Sequence, residues 1–395
     1  MLIQSKGKVI AVRKTINQEL MRNTNKKLIF KCIKDNLNLS KRIIAEKLGL
    51  STTTVATVIN ELESDGKIKT CGTAKSTGGR KSLLYEVNPA AGYATGIDIQ
   101  VDRIIFVLLD FAGNLVSTKE IPLTDKSEWV VATVLNDVIP EFAQENKISM
   151  DEILGIGLGV PGIVNERSGV IDFAPNLEWE NVNLRSLLKC QAPIVVENEA
   201  NAAALGEKGF GVGRNVSDMI YVSVGMGVGC GIIIENRLFS GTSFNAGEFG
   251  HMTVEYDGPA CKCGKRGCWE VFASNKAALN RYKEKSGLAL KDFDEFVQRL
   301  IAGEELALAV ADDIVKYLGI GIGNIVNGLN PQMVVLGGKL TEAKEVIYDK
   351  ILQQIKCFTL SKSLTELEIQ FSALNSKASA MGVAGIVLDQ AVEGL

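Results

Sequence analysis

The sequence predicts an α/β protein: a small helical head with a two-stranded wing, followed by a larger body of two α/β lobes facing across a cleft. Three observations predict it. Residues 1–90 combine helical hydrophobic spacing with a strong basic excess, 17 Lys and Arg against 7 Asp and Glu. Beyond Pro89 short apolar strands alternate with helices, and one strand-turn-strand-turn unit occurs twice, over 95–116 and 220–241.

In the head, Leu28, Ile29, Cys32 and Ile33 fall at helical spacing within 23–36. Ser40 precedes a second helix with Ile43, Ile44 and Leu48, and Gly49 turns the chain into a third. There Val55, Val58, Ile59 and Leu62 form the buried stripe, which pushes Thr52, Thr53, Thr57 and Asn60 outward. Two strands, over 68–71 and 82–87, flank a loop containing Thr77, Gly78, Gly79, Arg80 and Lys81. Three helices and a basic hairpin outline a winged helix-turn-helix over 1–90. The body opens with strands over 94–100, 104–110 and 115–121, a helix over 127–145 and a Gly-rich strand over 153–160. A related order returns at 219–224, at 231–235 with Leu238, and at 334–336. We assign 91–205 together with 378–395 to a smaller lobe. A larger lobe, 206–377, carries the cysteine-rich loop and a dimerisation surface.

At 395 residues, 46% hydrophobic and 23% charged, the chain is long and apolar enough for two or three folded domains, which excludes a disordered polymer. No apolar run suits a membrane span, and the first 14 residues lack a signal core, so the expected location is the cytoplasm. The net charge of -3 conceals an asymmetry: beyond residue 90 there are 26 basic against 39 acidic residues, so the head alone is suited to a polyanion. His251 is the single histidine, which excludes chemistry that needs two imidazoles from one chain.

Of eight cysteines only Cys261, Cys263 and Cys268 cluster, with His251 upstream and nine residues between it and the first. Three thiolates and an imidazole make the tetrahedral donor set that zinc prefers, and Gly264 and Gly267 permit tight bends between ligands. With no open position the site is structural. The alternative is a chance gathering or a redox pair. A second cluster, Glu197-Asn198-Glu199-Ala-Asn201, opens a small-residue helix at a strand end; with Asn176, Trp179 and Glu248 it offers convergent acids and amides for a polyol. Its alternative is a solvated strand-to-helix corner. The turns Gly225-Met-Gly227-Val-Gly229-Cys-Gly231 and Leu336-Gly337-Gly338 could cradle anions or could simply be glycines of a tightly connected sheet.

These motifs resemble the ROK family of repressors and kinases, whose members have an actin-like, RNase H-like sugar-kinase fold. The resemblance covers essentially the whole chain. It rests on Gly159-Val160-Pro161-Gly162, Ala174-Pro175-Asn176 with Trp179, Glu197 to Ala202, Gly247-Glu248-Phe-Gly250-His251, the cysteine cluster ending in Trp269-Glu270, and Leu336-Gly337-Gly338. It implies a monosaccharide held between the lobes by Asn176, Asn198, Glu199, Glu248, His251 and Glu270. His251 would place one ring nitrogen on zinc and the other toward the sugar, the metal fixing the tautomer. The combination of motifs is most similar to the xylose-responsive repressors of Gram-positive bacteria.

Departures from the kinase pattern point away from catalysis. Kinases of the family have Asp-x-Gly-Gly-Thr at the first phosphate turn; here Asp98-Ile99 is followed by Gln100-Val101-Asp102. Side chains fill the space where backbone must approach phosphate, and Asp102 adds like charge, costing roughly 4 kcal/mol at about 4 Å and an effective dielectric near 20. Met226 stands where a threonine is usual, and Glu199 replaces the family's aspartate base. The expectation is therefore a non-enzymatic, sugar-responsive repressor with structural Zn2+, acting as a homodimer or dimer of dimers on two-fold operator DNA and released by a sugar, D-xylose foremost. Thr52, Thr53, Thr57 and Asn60 would read base edges, Lys41, Arg42 and Lys81 would meet phosphates, and Arg80 a narrow minor groove. Two rivals are an ATP-dependent sugar kinase with Glu199 as base, and an adaptor repressor governed by a protein partner.

Overall fold

The computed structural model describes residues 6–74, 82–165 and 167–395. In the head, α1 (Lys6–Asp35) is longer than the hydrophobic spacing predicts. It leads through a short β1 (Leu39–Ser40) into α2 (Lys41–Leu48) and α3 (Thr52–Ser64), and the wing strands are β2 (Ile68–Thr73) and β3 (Leu83–Val87). Ser40 caps α2 by accepting the Ile43 N–H, Ser51 caps α3 by accepting the Thr54 N–H at 3.0 Å, and Gly49 ends α2 at a φ of 64°. Val55, Val58, Ile59 and Leu62 are all buried, whereas Ile43 lies at an exposed edge. Both β1 and β2 pair antiparallel with β3, a third strand that two residues of sequence could not announce.

The body follows as β4 (Tyr93–Ile99), β5 (Arg103–Asp110), β6 (Leu115–Pro122), α4 (Glu128–Glu145), β7 (Ile153–Val160), β8 (Ile163–Asn165), β9 (Val170–Ala174), β10 (Trp179–Val182), α5 (Leu184–Leu187), β11 (Ile194–Asn198) and α6 (Glu199–Phe210). After these come β12 (Met219–Val224), β13 (Val228–Ile234), β14 (Arg237–Leu238), α7 (Glu270–Ala273), α8 (Asn275–Ser286), α9 (Phe293–Ile301), α10 (Glu305–Leu329), β15 (Met333–Gly337), α11 (Lys344–Phe358), β16 (Glu368–Phe371) and α12 (Ala378–Glu393). The repeat seen in the sequence is a repeat of topology. The sheets run β6-β5-β4-β7-β11 and β14-β13-β12-β15-β16, each a three-stranded antiparallel meander extended by two parallel strands. The antiparallel sheet β8-β9-β10 is an insertion without counterpart in the second half.

The helices that end the two halves exchange places. α6 packs on β12 and β13 of the second sheet, whereas α12 packs on β4 and β7 of the first, and the two helices contact each other. Backbone meets backbone at the crossing: a Cβ on Gly382 would lie 1.7 Å from the Ala202 carbonyl oxygen, and one on Gly206 would lie 2.1 Å from that of Ala378. The head is not a tethered bead. Ile29, Phe30, Cys32 and Ile33 of α1 share one buried cluster with Val107, Leu109 and Phe111 of the first lobe and Ala384, Val387 and Leu388 of α12. Among the described residues no helix is long and apolar enough to cross a membrane.

Candidate functional site

Parallel pairing brings three strand ends together. Asp98 on β4 lies beside Gly159 on β7, and Asn198 on β11 beside Val160. Asn198 caps α6: its Oδ1 accepts the N–H groups of Ala200 and Asn201 at 2.8 and 3.1 Å, and its Nδ2 donates to the Gly162 carbonyl at 2.8 Å and to Glu199 at 3.2 Å. This amide therefore turns the chain into the helix and orients Glu199. Behind it, Asn201 Nδ2 donates to Glu197 at 3.1 Å, both residues buried. Asn176 lies on the β9–β10 loop, which Lys126 clamps by donating to the Asn176 carbonyl at 3.0 Å and to Glu178 at 2.6 Å; the buried Trp179 indole donates back to the Lys126 carbonyl at 2.7 Å.

The acids of this region perturb one another. Burial first, then the neighbouring Asp98 and Glu248 charges, push the Glu199 carboxyl up to about 8. Burial pushes Asp98 to about 6, against hydrogen bonds from Gln100 Nε2 at 2.6 Å and Ser379 Oγ at 2.7 Å. At neutral pH Glu199 thus retains a proton and offers hydroxyl groups both a donor and an acceptor.

In the second lobe a short helical turn, Glu248–His251, sits on β13: a Cβ on Gly250 would lie 2.0 Å from the Val228 carbonyl oxygen. His251 Nε2 is 3.7 Å from Glu248, and Nδ1 faces Cys261 Sγ at 3.7 Å. The donor atoms of His251, Cys261, Cys263 and Cys268 all lie within 4.8 Å of one another, with the Cys263 and Cys268 sulfurs 3.6 Å apart. A tetrahedral zinc site with Zn–S bonds of about 2.3 Å has sulfur–sulfur edges of about 3.8 Å, so the donor set fits that ion. Gly264 and Gly267 turn at φ of 87° and 68°. Glu270 is oriented differently from the sugar-facing group the resemblance implies. It accepts from the Cys261 thiol at 2.9 Å and lies 3.5 Å from His251 Nδ1, while its other oxygen leaves no room for a Cβ at Gly227.

In the β4–β5 turn Gln100 folds back onto Asp98, donating to it at 2.6 Å. Asp102 is not a free repelling charge: Arg103 binds it at 3.0 and 3.2 Å and also binds Glu120 at 2.9 Å. In the other turns, Met226 is exposed, and a Cβ at Gly337 or Gly338 would run into Tyr221 Oη or the Val224 carbonyl, while Gly338 also turns at a φ of 100°. Ser379 and Lys126 were not singled out from sequence. Ser379 lies 281 positions from Asp98, and no local pattern links them.

On the head, Thr52, Thr53, Thr57 and Asn60 stand on the exposed face of α3. Lys41 donates to Asn60 Oδ1 at 2.8 Å, and Arg42 pairs with Glu46 at 3.0 Å. Arg80 and Lys81 lie outside the described residues.

A model of the ROK family matches residues 94–390, and a model of winged helix-turn-helix DNA-binding domains matches residues 22–69. The xylose repressor of Bacillus subtilis (strain 168) is 34% identical over 375 residues, which cover 94% of this chain and 97% of that protein. A crystal structure of a ROK family transcriptional regulator, a homolog of the E. coli MLC protein, superposes with a TM-score of 0.81 at 23% identity, covering 94% of this chain and 97% of that one. A ROK family glucokinase from Streptomyces griseus, solved with glucose and AMPPNP, superposes with a TM-score of 0.67 at 26% identity, covering 75% of this chain and 99% of that one.

Proposed function

Because the chain belongs to the ROK family and joins that body to a winged helix-turn-helix head, we propose that it is a sugar-responsive transcriptional repressor. The observation that carries this reading is the Gln100–Asp98 contact at 2.6 Å, in a chain whose α3 presents an exposed polar face: in this reading Gln100 fills a turn that a kinase needs open for phosphate. Occupancy of the cleft, rather than turnover, is then the signal.

In this reading a homodimer, or a dimer of dimers, sets two α3 helices into major grooves about 10 bp or a multiple apart. Thr52, Thr53, Thr57 and Asn60 face base edges, Lys41, Arg42 and Lys81 meet phosphates, and Arg80 enters the minor groove. Lys41 must exchange its bond to Asn60 for the DNA. Asn176, Asn198, Glu199, Glu248, His251 and Glu270 surround a monosaccharide, D-xylose foremost, in keeping with the named function of the Bacillus subtilis relative. His251, Cys261, Cys263 and Cys268 would hold Zn2+, which supplies a structural crosslink and fixes the imidazole tautomer, leaving Nε2 for the cleft. Cys261 as a thiolate has no proton to give Glu270, which frees that carboxylate for the sugar. The test is an operator-shift titration with D-xylose, D-glucose and other monosaccharides in parallel. Release by one sugar at micromolar to millimolar concentration is expected; operator binding that no sugar alters would sink the reading.

One observation favours a kinase instead. Glu199, at the start of α6, carries a carboxyl that once ionised, above about 8, can take a proton from a sugar hydroxyl. A coupled ATP-consumption assay with the same sugars separates the two, and no turnover above background is expected.

A further inference from the structure

A repressor of this kind needs a rigid path from the cleft to the head, and one element touches both. We propose that α12 is that path and that Ser379 is its positioning residue at the cleft end, coupling sugar occupancy to the attitude of the head; the proposal rests on the repressor reading. Ser379 is buried and donates to Asp98 Oδ1 at 2.7 Å, in a space that exists because residue 159 is glycine: a Cβ there would lie 2.3 Å from the hydroxyl. Asp98 in turn acts on Glu199. Five to ten residues on, roughly 8–15 Å along the helix, Ala384, Val387 and Leu388 are buried with Ile29, Phe30 and Ile33 of α1, and Lys34 approaches Asp389 at 3.6 Å.

Between those ends α12 comes close to the backbone of the first sheet at two glycines. Cβ atoms added at Gly96 and Gly157 would lie 1.9 and 2.4 Å from the carbonyl oxygens of Ala380 and Val383, and the contact with α6 is equally close. A helix seated backbone-on-backbone cannot absorb a displacement by rotamer changes, so a shift at one end is passed along it. Its entry is pinned as well. Glu207 of α6, fully buried, accepts from Ser372 Oγ and from the Leu374 N–H in the segment between β16 and α12. α12 is thus tied to the second lobe at its start, rests on the first lobe along its length, and ends in the head.

The experiment compares operator affinity with and without saturating D-xylose, and with D-glucose in parallel, for the full-length protein and its Ser379→Ala variant. Calorimetry gives each protein's sugar affinity. The variant is expected to keep sugar affinity and sugar-free operator affinity within about twofold, while the ratio of operator affinities falls about tenfold, the factor for one lost hydrogen bond to a charged group. A merely structural role would instead lower both affinities together. Hydrogen exchange on the unmodified protein provides a second reading, independent of whether the variant folds: sugar should change protection at the α1 amides of Ile29 to Ile33. An unchanged ratio in a folded variant, or α1 exchange indifferent to bound sugar, overturns the proposal while leaving the repressor reading intact. If no sugar in the panel produces heat, both fall.

Discussion

Glu199 and Asp98 show what a single carboxyl contributes. Unfolded, Glu199 ionises near 4.5; folded, near 8. Between those values the folded state holds the extra proton, so stability falls as pH rises through that window and levels off above about 8. Asp98 acts in the same direction from about 3.8 to about 6. Glu199→Gln removes the larger effect, and chemical denaturation at pH 5, 6.5 and 8 should show a flatter profile for the variant than for the unmodified chain; parallel profiles would contradict the assignment. The cleft acids were readable in the sequence because Glu197-Asn198-Glu199 closes an apolar strand. Their distant partner was not, since Ser379 reaches Asp98 from α12, and Glu270 turns to a thiol that only the folded loop brings near.

At the scale of elements, the glycines of crossing helices divide by what surrounds them. Gly382→Ala would place a methyl group 1.7 Å from the Ala202 carbonyl, which the backbone must move to admit. A loss of about 1–3 kcal/mol or more in unfolding free energy is expected. Gly328, near the end of α10, has nothing within 4 Å of its would-be Cβ, so Gly328→Ala should stabilise by about 0.4–1 kcal/mol. Equal effects at the two sites would show that packing at the crossing is not what the glycines serve. The cysteine loop makes a different prediction. Its bends at Gly264 and Gly267 bring together four donors that bond weakly to one another, so Cys263→Ser should lose bound zinc and the inducer response together. Metal analysis beside an operator-release assay checks this; full induction by a zinc-free variant would separate the loop from the response.

For the whole molecule, charge is segregated along the chain, a basic head on an acidic body. Operator affinity should therefore fall steeply with salt, log K declining linearly against log salt with a slope near -0.9 per phosphate contacted. Thr57→Ala should weaken the specific site without altering that slope, whereas Arg42→Ala should lower the slope by about 1. Gel-shift titrations from about 50 to 200 mM salt distinguish the two. An identical slope for the Arg42 variant would remove that residue from the phosphate contacts. Arg80 can be tested in the same assay at matched salt, with loss of affinity expected on replacement by alanine.

Periodicity and composition by themselves determined the α/β class, the helical head, the repeated strand unit and the cysteine-histidine set, because each is written in residues close together along the chain. Tertiary structure alone decided that α6 crosses onto the second sheet, that the head shares its core with α12, and that Ser379 meets Asp98. Those outcomes depend on which backbones can approach within van der Waals distance after folding, and small residues far apart in sequence carry no local mark of the partner they will admit.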